Sequence, residues 1–457
     1  MNLEINIKNK PLYEPGFIPA YKFIEAYLKE AAQPYAIAWK GKDGRISKFD
    51  TFIYGTPEKS ELDFYYLKLI TEFTYNIWGG WKLYLGGEEA LSKRVETAIL
   101  DALKKLGSWV MTRVIFNEDF TVEILPYEQC PENEVSQPFG RNLNGCRIGF
   151  DGGGSDRKVS SVIDGVPVYS EEVLWEAKFR PDIDYHYNEV LSAFKAAAAK
   201  MPRVDGIGVS VAGLMIGDQY YRGSITKEVP NKDMEEKGRN LFRRAADEIG
   251  NNIPVVGRND GDIAALAGAM NLAKNKLWGV PLGTGFGSGY VDGLGNLKDW
   301  TTNMAFSKVT VNEDAHPSDM PGFIGIGESY VSQDRLIEMA EDEGIEFPEG
   351  LYPAEKLLIV QEYMNNNDPR TNRIFTHMGC CFAHMIPMAD LFLDIEHIYL
   401  IGRLVSGRGG EVFVQECKRV LNEDYPKHAA KMTIWLPDEN DRRVSQAVAA
   451  ASLPVIE

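Results

Sequence analysis

Three polar side chains stand together where an apolar run, 253–256, leads into an Ala-rich segment. They are Asn259, Asp260 and Asp262. The apolar run predicts a strand and the Ala-rich segment a helix. A carboxylate at a strand end with a helix behind it is held in place, as chemistry that depends on alignment requires. The alternative is helix capping, since Asn and Asp favour that position. One cap would suffice, so the additional polar residues favour a functional site. For Asp262 itself we expect capping.

A first glycine-rich loop follows Asp151 in the stretch "GFDGGGSDRK". Its three glycines let the backbone approach an anion closely, and their N–H groups can form a nest for phosphate. Asp151 could hold hydrated Mg²⁺ beside such a phosphate. A ligand-free hairpin turn is the alternative, and this loop alone favours a site only weakly.

Two further glycine clusters lie downstream. In "PLGTGFGSGYVDG" the glycines 283, 285, 287 and 289 alternate with other residues. A dinucleotide fingerprint needs a helix inside the loop, whereas this loop leads into a strand, so we predict a hairpin that wraps phosphates. A flexible hairpin without a ligand is the alternative. The third cluster ends a strand at Gly402 and begins a helix after Gly409 and Gly410, a usual arrangement at nucleotide sites in α/β folds.

These clusters need elements that position them. The polar stretch 128–146 has two prolines and no periodicity, which predicts a linker or long loop. Before it we predict a small α+β domain that includes a hairpin formed by "SWVMTRVIF" and "FTVEILPY". After it strands and helices alternate, which predicts mixed sheets flanked by helices.

Composition narrows the class of protein. The 457 residues predict two or three domains, and 44% hydrophobic with 25% charged residues is typical of a globular protein in water. No apolar run is long enough for a membrane span and the N-terminus has no signal pattern, so we expect a cytoplasmic protein without a membrane partner. A net charge of −17 argues against nucleic acid as a partner. The five cysteines lack a CxxC pair, which indicates reduced structural thiols. His377 and His384 lie seven apart on a predicted helix, where packing is favoured over metal binding.

Together the motifs resemble the ROK family (repressors, open reading frames and sugar kinases) of the sugar kinase/actin/hsp70 ATPase superfamily. The resemblance covers roughly residues 147–457 and is carried by "IGFDGGGSDRK", "VVGRNDGDIAALAG" and "LGTGFGSGYVDG". It implies an α/β fold, a two-lobed actin-like ATPase core of the ribonuclease H-like type, with a small extra N-terminal α+β domain. We expect an accessory domain of unknown role over 1–140, a small lobe over 147–258 and a large lobe over 259–457.

The resemblance implies roles for particular residues. Asp260 would be the general base that accepts the proton of a sugar hydroxyl as that oxygen attacks ATP. Mg²⁺ would bridge the phosphates with Asp151 in its outer shell. The sugar would be bound by Asn259, Asp260, Glu328, Gly213 and Asn303. ATP would be bound by Asp151, Gly152, Gly153, Gly154, Ser155, Lys158, Gly283, Thr284, Gly285, Gly402, Gly409 and Gly410.

The chain departs from the family pattern at the sugar end of the site. Where the family carries Glu-x-Gly-His, this sequence has Asn303 and Phe306 in "TNMAFSK". The cysteine-rich zinc loop that should follow reads "MPGFIGIGESYVSQDRL" without a cysteine, so we expect no structural zinc. Glu328 in that stretch stands where the resemblance implies a sugar contact, and a carboxylate at a helix start is an equal alternative.

The sequence therefore predicts a glucokinase- or hexokinase-like enzyme that transfers phosphate from ATP to a hexose or hexose derivative. The alternative is a non-catalytic sugar sensor or pseudokinase on the same fold, which the missing sugar-binding pair favours and the retained Asp260 disfavours. A transcriptional repressor is disfavoured, because the N-terminal part is slightly acidic and lacks a basic reading head. A homodimer is a further expectation.

Overall fold

The described residues form three larger sheets and a two-stranded one, β9 with β10, and the first of the larger sheets lies in the N-terminal part of the chain. The computed structural model describes residues 3–456 except 107, 155, 299 and 319–321. Four strands lie in the order β2-β1-β3-β4, with β1 antiparallel to β2 and β3 and with β4 parallel to β3. The elements are α1 Ala20–Tyr27, β1 Gln33–Lys40, β2 Ile46–Ile53, α2 Ser60–Trp78, β3 Lys82–Gly86, α3 Glu89–Leu106, α4 Ser108–Phe116 and β4 Thr121–Leu125.

The second sheet has five strands in the order β11-β8-β5-β6-β7. Its strands β5, β8 and β11 are parallel, whereas β6 and β7 extend it as an antiparallel meander. We call residues 146–259 the small lobe. Its elements are β5 Cys146–Gly152, β6 Asp156–Ile163, β7 Val166–Leu174, α5 Ile183–Ala198, β8 Gly206–Val211, β9 Gly213–Ile216, β10 Gln219–Gly223, α6 Asn231–Asp233, α7 Leu241–Asp247 and β11 Val255–Asn259.

The third sheet has four strands in the order β13-β12-β14-β15, of which β12, β14 and β15 are parallel. We call residues 260–435 the large lobe; a final helix follows it. The elements are α8 Asp260–Leu272, β12 Leu277–Pro281, β13 Gly289–Val291, α9 Gln333–Asp342, α10 Pro353–Asn365, α11 Pro369–Leu393, β14 His397–Ile401, α12 Gly407–Asp424, α13 Pro426–Lys431, β15 Thr433–Trp435 and α14 Glu439–Ala451.

One hydrophobic core joins the N-terminal part to the large lobe. The buried cluster runs from Phe17 through helices α2 and α3 to the strands and helices of the large lobe. The rings of Phe73 and Phe392 lie 5.1 Å apart, and Trp300 Nε1 donates to Ser47 Oγ at 2.9 Å. The small lobe has a separate core. The N-terminal part and the large lobe therefore share their hydrophobic stabilisation, while the three-part division of the chain stays a prediction.

The last helix crosses between lobes. Helix α14 falls in the range predicted for the large lobe, yet it packs on the small-lobe sheet. A Cβ on Gly149 of β5 would lie only 1.7 Å from the Ala447 carbonyl oxygen, and one on Gly208 of β8 only 1.6 Å from that of Ala450. Both positions need glycine because the helix backbone touches the strands.

The mixed α/β class and the long loop at 128–146 are confirmed, since only a short 3₁₀ turn at Tyr127–Gln129 falls there among the described residues. The hairpin predicted from "SWVMTRVIF" and "FTVEILPY" is wrong. The first half is helix α4, and the second half holds β4, which pairs in parallel with β3. Parallel neighbours require a crossover connection, and α3 with α4 supplies it. A short apolar run does not distinguish helix from strand by periodicity.

The two histidines of α11 are packing residues that hold the N-terminal segment. His377 Nδ1 accepts from the Tyr13 N–H at 3.2 Å, and His384 lies 2.7 Å from Tyr425 Oη and 2.8 Å from the Asn9 carbonyl oxygen. Burial lowers the pKa of His377 to about 3 and that of His384 to about 4. Both rings are therefore neutral at physiological pH.

All five cysteines are buried with free thiols. No helix in the described part of the chain combines the length and the apolar character that a membrane span needs.

Candidate active site

The junction of β11 and α8 carries the polar cluster of Asn259, Asp260 and Asp262. Asn259 is the N-cap: its Oδ1 accepts from the Gly261 N–H at 2.9 Å, and its Nδ2 donates to the Gly213 carbonyl at 3.0 Å. Asn259 rather than Asp262 is therefore the N-cap, and Asp262 lies in the first turn, where the helix dipole favours a carboxylate. Asp260 Oδ1 also accepts from the Gly261 N–H, at 3.0 Å.

Close backbone packing fixes this junction. A Cβ on Gly261 would lie 2.3 Å from the Ser288 carbonyl oxygen, and a Cβ on Gly289 would lie 2.2 Å from the Gly261 oxygen. The first turn of α8 thus rests directly on the strand pair β12–β13. Any side chain at either glycine would push the helix away, and Asp260 with it.

Asp151 and Asp260 lie at the same edge of the small-lobe sheet. The parallel register sets Asp151 of β5 beside Ser210 of β8, and Ser210 beside Arg258 of β11. The carboxyl ends of these strands therefore meet, as at ligand sites of open α/β sheets. Ser210 Oγ donates to Asp151 Oδ1 at 2.6 Å.

The ionised forms of Asp260 and Asp151 are disfavoured in this cluster. Burial, followed by the charge of Asp151, raises the pKa of Asp260 to about 6, against the lowering effects of the Gly261 N–H and Lys158. Burial also raises the pKa of Asp151. Lys158 Nζ lies 3.5 Å from Asp151 Oδ2 and 3.6 Å from Asp156 Oδ1. A lysine almost fully buried beside two aspartates supplies positive charge where a phosphate would need it.

The first glycine loop leaves β5 at Gly152. The Gly153 N–H donates to the Asp156 carbonyl at 2.9 Å, and Trp175 Nε1 donates to the Gly153 carbonyl at 2.7 Å. A Cβ on Gly154 would lie 3.1 Å from Thr284 Oγ1, so the first loop touches the second. Ser155 lies outside the described residues.

The second loop, between β12 and β13, is the meeting point of the site. A Cβ on Gly285 would lie 2.9 Å from Glu328 Oε1, and one on Gly287 would lie 3.5 Å from Asp260 Oδ1. The Gly283 carbonyl accepts from the Gln333 N–H, which begins α9, at 3.0 Å. The loop therefore brings the candidate base, the candidate sugar contact and the first glycine loop together.

The third cluster divides into two kinds of glycine. Gly402, at φ 106°, follows β14, and a Cβ there would lie 2.1 Å from the Leu282 carbonyl oxygen. Helix α12 begins at Gly407, so the predicted start after Gly410 is wrong, and Gly409 and Gly410 both lie inside the first turn. Gly409 packs there on the Phe375 ring and Gly410 on the Val405 carbonyl. All three positions lack room for a side chain because other parts of the large lobe pack against them. Contact of these glycines with a nucleoside stays a prediction.

Asn303 lies against the N-terminal part of the protein. Its N–H donates to the Asn76 carbonyl at 2.9 Å, and its own carbonyl accepts from Ser307 Oγ at 3.0 Å. Among the described residues these bonds tie Asn303 to α2 and to its own loop, and none is to Asp260.

Sequence reasoning missed two residues of the cleft. Ser210 could have been found, because the parallel strands β5 and β8 place it beside Asp151. Arg403 could not, because its partners are far away in the chain: Nε lies 2.9 Å from Asp156 Oδ2 and Nη2 donates to Glu172 Oε1 at 2.9 Å. Arg403 therefore ties the large lobe to the small lobe beside the first glycine loop.

The architecture is the two-lobed, actin-like fold of ROK sugar kinases, which confirms the predicted fold. A ROK family glucokinase from Streptomyces griseus, solved with glucose and AMPPNP, is 19% identical with a TM-score of 0.50 and matches 67% of this chain and 98% of its own. A candidate N-acetylmannosamine kinase from Listeria monocytogenes is 18% identical with a TM-score of 0.50, over 67% of this chain and 97% of its own.

A ROK family transcriptional regulator, a homologue of an Escherichia coli protein, is 14% identical with a TM-score of 0.48, over 79% of this chain and 90% of its own. No protein-family model matches the chain, and no curated protein matches it at a significant level. At these identities the likeness to the two kinases with a TM-score of 0.50 shows a common fold.

Proposed function

We propose that the protein transfers the γ-phosphate of ATP to a hydroxyl group of a hexose or hexose derivative. The observation that carries the proposal is the position of Asp260. Its carboxylate lies at the β11–α8 junction, within reach of the second glycine loop, which in turn touches the first glycine loop. A fixed acid beside two backbone loops suited to phosphate is the arrangement that phosphoryl transfer requires.

In this proposal Asp260 orients the acceptor hydroxyl and takes its proton as the hydroxyl oxygen bonds to phosphorus and ADP leaves. A pKa of about 6 keeps Asp260 mostly ionised at neutral pH, yet makes it a better proton acceptor than an exposed aspartate. Lys158 and the loop N–H groups offset the charge of the phosphates. Gly402 and the residues after it form the nucleoside side.

Magnesium fits the acids of the cleft in an indirect way. No group of three or more His, Cys, Asp or Glu suited to a metal occurs among the described residues. Mg²⁺ in kinases is held chiefly by phosphates and water with one or two carboxylates, so such a group is not needed. Asp151 is 4% exposed with Oδ2 facing Lys158, which suits an outer-shell partner. When bound, the ion would neutralise phosphate charge.

Glu328 is the sugar-side residue that the geometry favours, because its carboxylate lies against Gly285 of the second loop. The Streptomyces protein was solved with glucose, which supports a hexose as the class of substrate. The Asn259 side-chain amide donates a hydrogen bond to the Gly213 carbonyl, so any contact of these two residues with a sugar uses their remaining polar groups.

A sugar sensor without catalysis is the second candidate. The observation that favours it is the environment of Asn303 and Phe306, the residues at the family's sugar-reading positions. Asn303 is bonded to α2, and the Phe306 ring lies 5.5 Å from that of Phe323. Neither side chain repeats the polar pair of the family.

The test is ADP release from Mg-ATP across hexoses, amino sugars and N-acetyl sugars, with Asp260→Asn beside the wild type. One sugar that stimulates turnover, with loss of turnover but not of ATP binding in the variant, supports the kinase. A sugar that raises the melting temperature without turnover supports the sensor. No response to any sugar in either assay overturns both.

A further inference from the structure

The segment 292–332 links β13 to α9 and carries Asn303, Phe306 and Glu328. In its described part the helical structure is a 3₁₀ turn at Gly327–Ser329. Irregular segments this long are uncommon in compact proteins and need partners elsewhere to order them. It contains no cysteine, so a thiolate metal site does not order it. We call it the substrate-side segment.

Helix α2 orders the first part of this segment. The last carbonyls of a helix lack partners within the helix, so they are available as acceptors. The hydrogen bonds run from the Thr302 N–H to Ile77 O at 2.7 Å, from the Asn303 N–H to Asn76 O at 2.9 Å, from Thr301 Oγ1 to Asn76 O at 2.6 Å, and from Asn76 Nδ2 to Phe306 O at 3.0 Å.

Thr302 shows that this contact imposes a conformation. Its φ is 44°, in the left-handed region that β-branched residues avoid. Its side chain is 1% exposed, and its hydroxyl has no hydrogen-bond partner in the described structure. Such a conformation persists only where the surroundings hold it, and the bond to the Ile77 carbonyl does so.

The chain before and into α1 orders the next part. Ile18 N–H donates to Thr310 Oγ1 at 3.0 Å, Val311 N–H donates to the Ile18 carbonyl at 2.9 Å, and Ala20 N–H donates to the Val309 carbonyl at 2.9 Å. Residues 18–20 thus lie alongside residues 309–311 as a short antiparallel pair.

The ordered part in turn holds Glu328. The Val309 N–H donates to the Gly325 carbonyl at 2.8 Å, and the Glu328 N–H donates to the Ala305 carbonyl at 2.9 Å. Glu328 Oε1 then faces Gly285 of the second loop. Hydrogen bonds therefore lead from the N-terminal part through 301–311 to Glu328, whose carboxylate faces the second glycine loop.

We propose that the N-terminal part of the chain positions the sugar end of the site, with Asn76 and Thr310 as positioning residues that act through the substrate-side segment on Glu328. The effect on a sugar rests on the proposed function; the effect on the order of the segment does not. This gives the N-terminal part a role that its own sequence did not reveal.

The test uses two variants of the full-length protein. Asn76→Ala removes the bond to the Phe306 carbonyl, and Thr310→Val removes the acceptor for the Ile18 N–H at nearly constant volume. Thr310→Ser keeps that acceptor. Asn422→Ala is the matched control, because its Nδ2 also donates to one carbonyl, that of Lys418 in α12. Two independent variants keep the test decisive if one of them folds poorly.

Hydrogen exchange is measured on peptides covering 301–313 and 322–330. We expect faster exchange in both peptides for Asn76→Ala and Thr310→Val, with Thr310→Ser and Asn422→Ala like the wild type. With the sugar found active, we expect the KM for sugar to rise roughly fivefold, the effect of one hydrogen bond, with the KM for ATP unchanged. Unchanged exchange at 322–330 overturns the proposal even if a sugar is phosphorylated. If no sugar reacts, the exchange result still decides the positioning role, and only the proposed function fails.

Discussion

Replacement of Asp260 by asparagine separates two properties of this side chain: it accepts a hydrogen bond from the Gly261 N–H, and it can take a proton. The amide keeps an oxygen that can accept from the Gly261 N–H, so the junction of β11 and α8 is retained. It cannot take a proton. If Asp260 is the general base, kcat falls by about 10²–10⁴-fold, the range for loss of one acid–base group, while the KM values change little.

The same change should stabilise the fold at neutral pH. The pKa of Asp260 is raised from 3.8 to about 6, so its ionised form is disfavoured in the folded protein. At about 1.4 kcal/mol per pH unit, that difference costs the folded state up to ~3 kcal/mol. The cost is absent below about pH 4, grows up to about pH 6, and is constant above it. The side-chain amide of the variant carries no charge at any of these pH values, so Asp260→Asn removes the cost.

The assay is thermal or denaturant unfolding of wild type and Asp260→Asn at about pH 4 and about pH 8, on either side of the raised pKa, with Asp262→Asn as the control from the same helical turn. We expect a variant that is more stable than the wild type at the higher pH and equal to it at the lower. A variant that is less stable at the higher pH, or a difference that does not change with pH, refutes the electrostatic argument. A variant that keeps full kcat refutes the role as base.

Three other perturbations test the surroundings of Asp260. The kcat of the wild type should fall as pH drops through about 6, because the base becomes protonated. Lys158 lowers the pKa of Asp260, so Lys158→Met should move this fall to higher pH. A pH–rate profile of both proteins checks the two expectations. Gly285→Ala places a Cβ 2.9 Å from Glu328 Oε1 and should raise the KM for sugar several-fold with an unchanged circular dichroism spectrum; an unchanged KM argues against a sugar contact of Glu328. Arg403→Met removes the two ion pairs that Arg403 makes with the small lobe, so small-angle scattering of the free protein should give a larger radius of gyration. An identical radius would show that these two pairs do not hold the cleft closed.

The local structure around the candidate site could be predicted from the sequence where neighbouring residues decide it. Glycine runs after a strand and an Asn-Asp pair before a helix are local signals, and the structure has a turn or a helix start at each. Gly409 shows the limit of such signals. Its glycine is explained by the Phe375 ring, which lies on another helix, so no local pattern could distinguish a packing glycine from one beside a ligand.

The N-terminal part shows a second limit. The polar stretch 128–146 does connect two sheets, and it was natural to expect a domain boundary there. Yet Trp78 of α2 lies 6.2 Å, ring to ring, from Trp300, and Phe73 packs on Phe392. A break in composition marks where the chain leaves a sheet. It does not show which core the preceding elements join, because that depends on contacts hundreds of residues apart.

That shared core bears on how the two substrates are separated in the proposed reaction. The phosphates would lie between the small lobe and the second glycine loop, whereas the substrate-side segment is ordered by α2 and residues 18–20. Because α2 is held by the same hydrophobic core as β12 and α11, it cannot move without disturbing the large lobe. The N-terminal part is therefore suited to hold the sugar end of the site rigidly. The nucleotide end is joined across the lobes by the ion pairs of Arg403, which can break and re-form as the lobes open and close. Substitutions in α2 should then change the KM for sugar, and substitutions at Arg403 the KM for ATP.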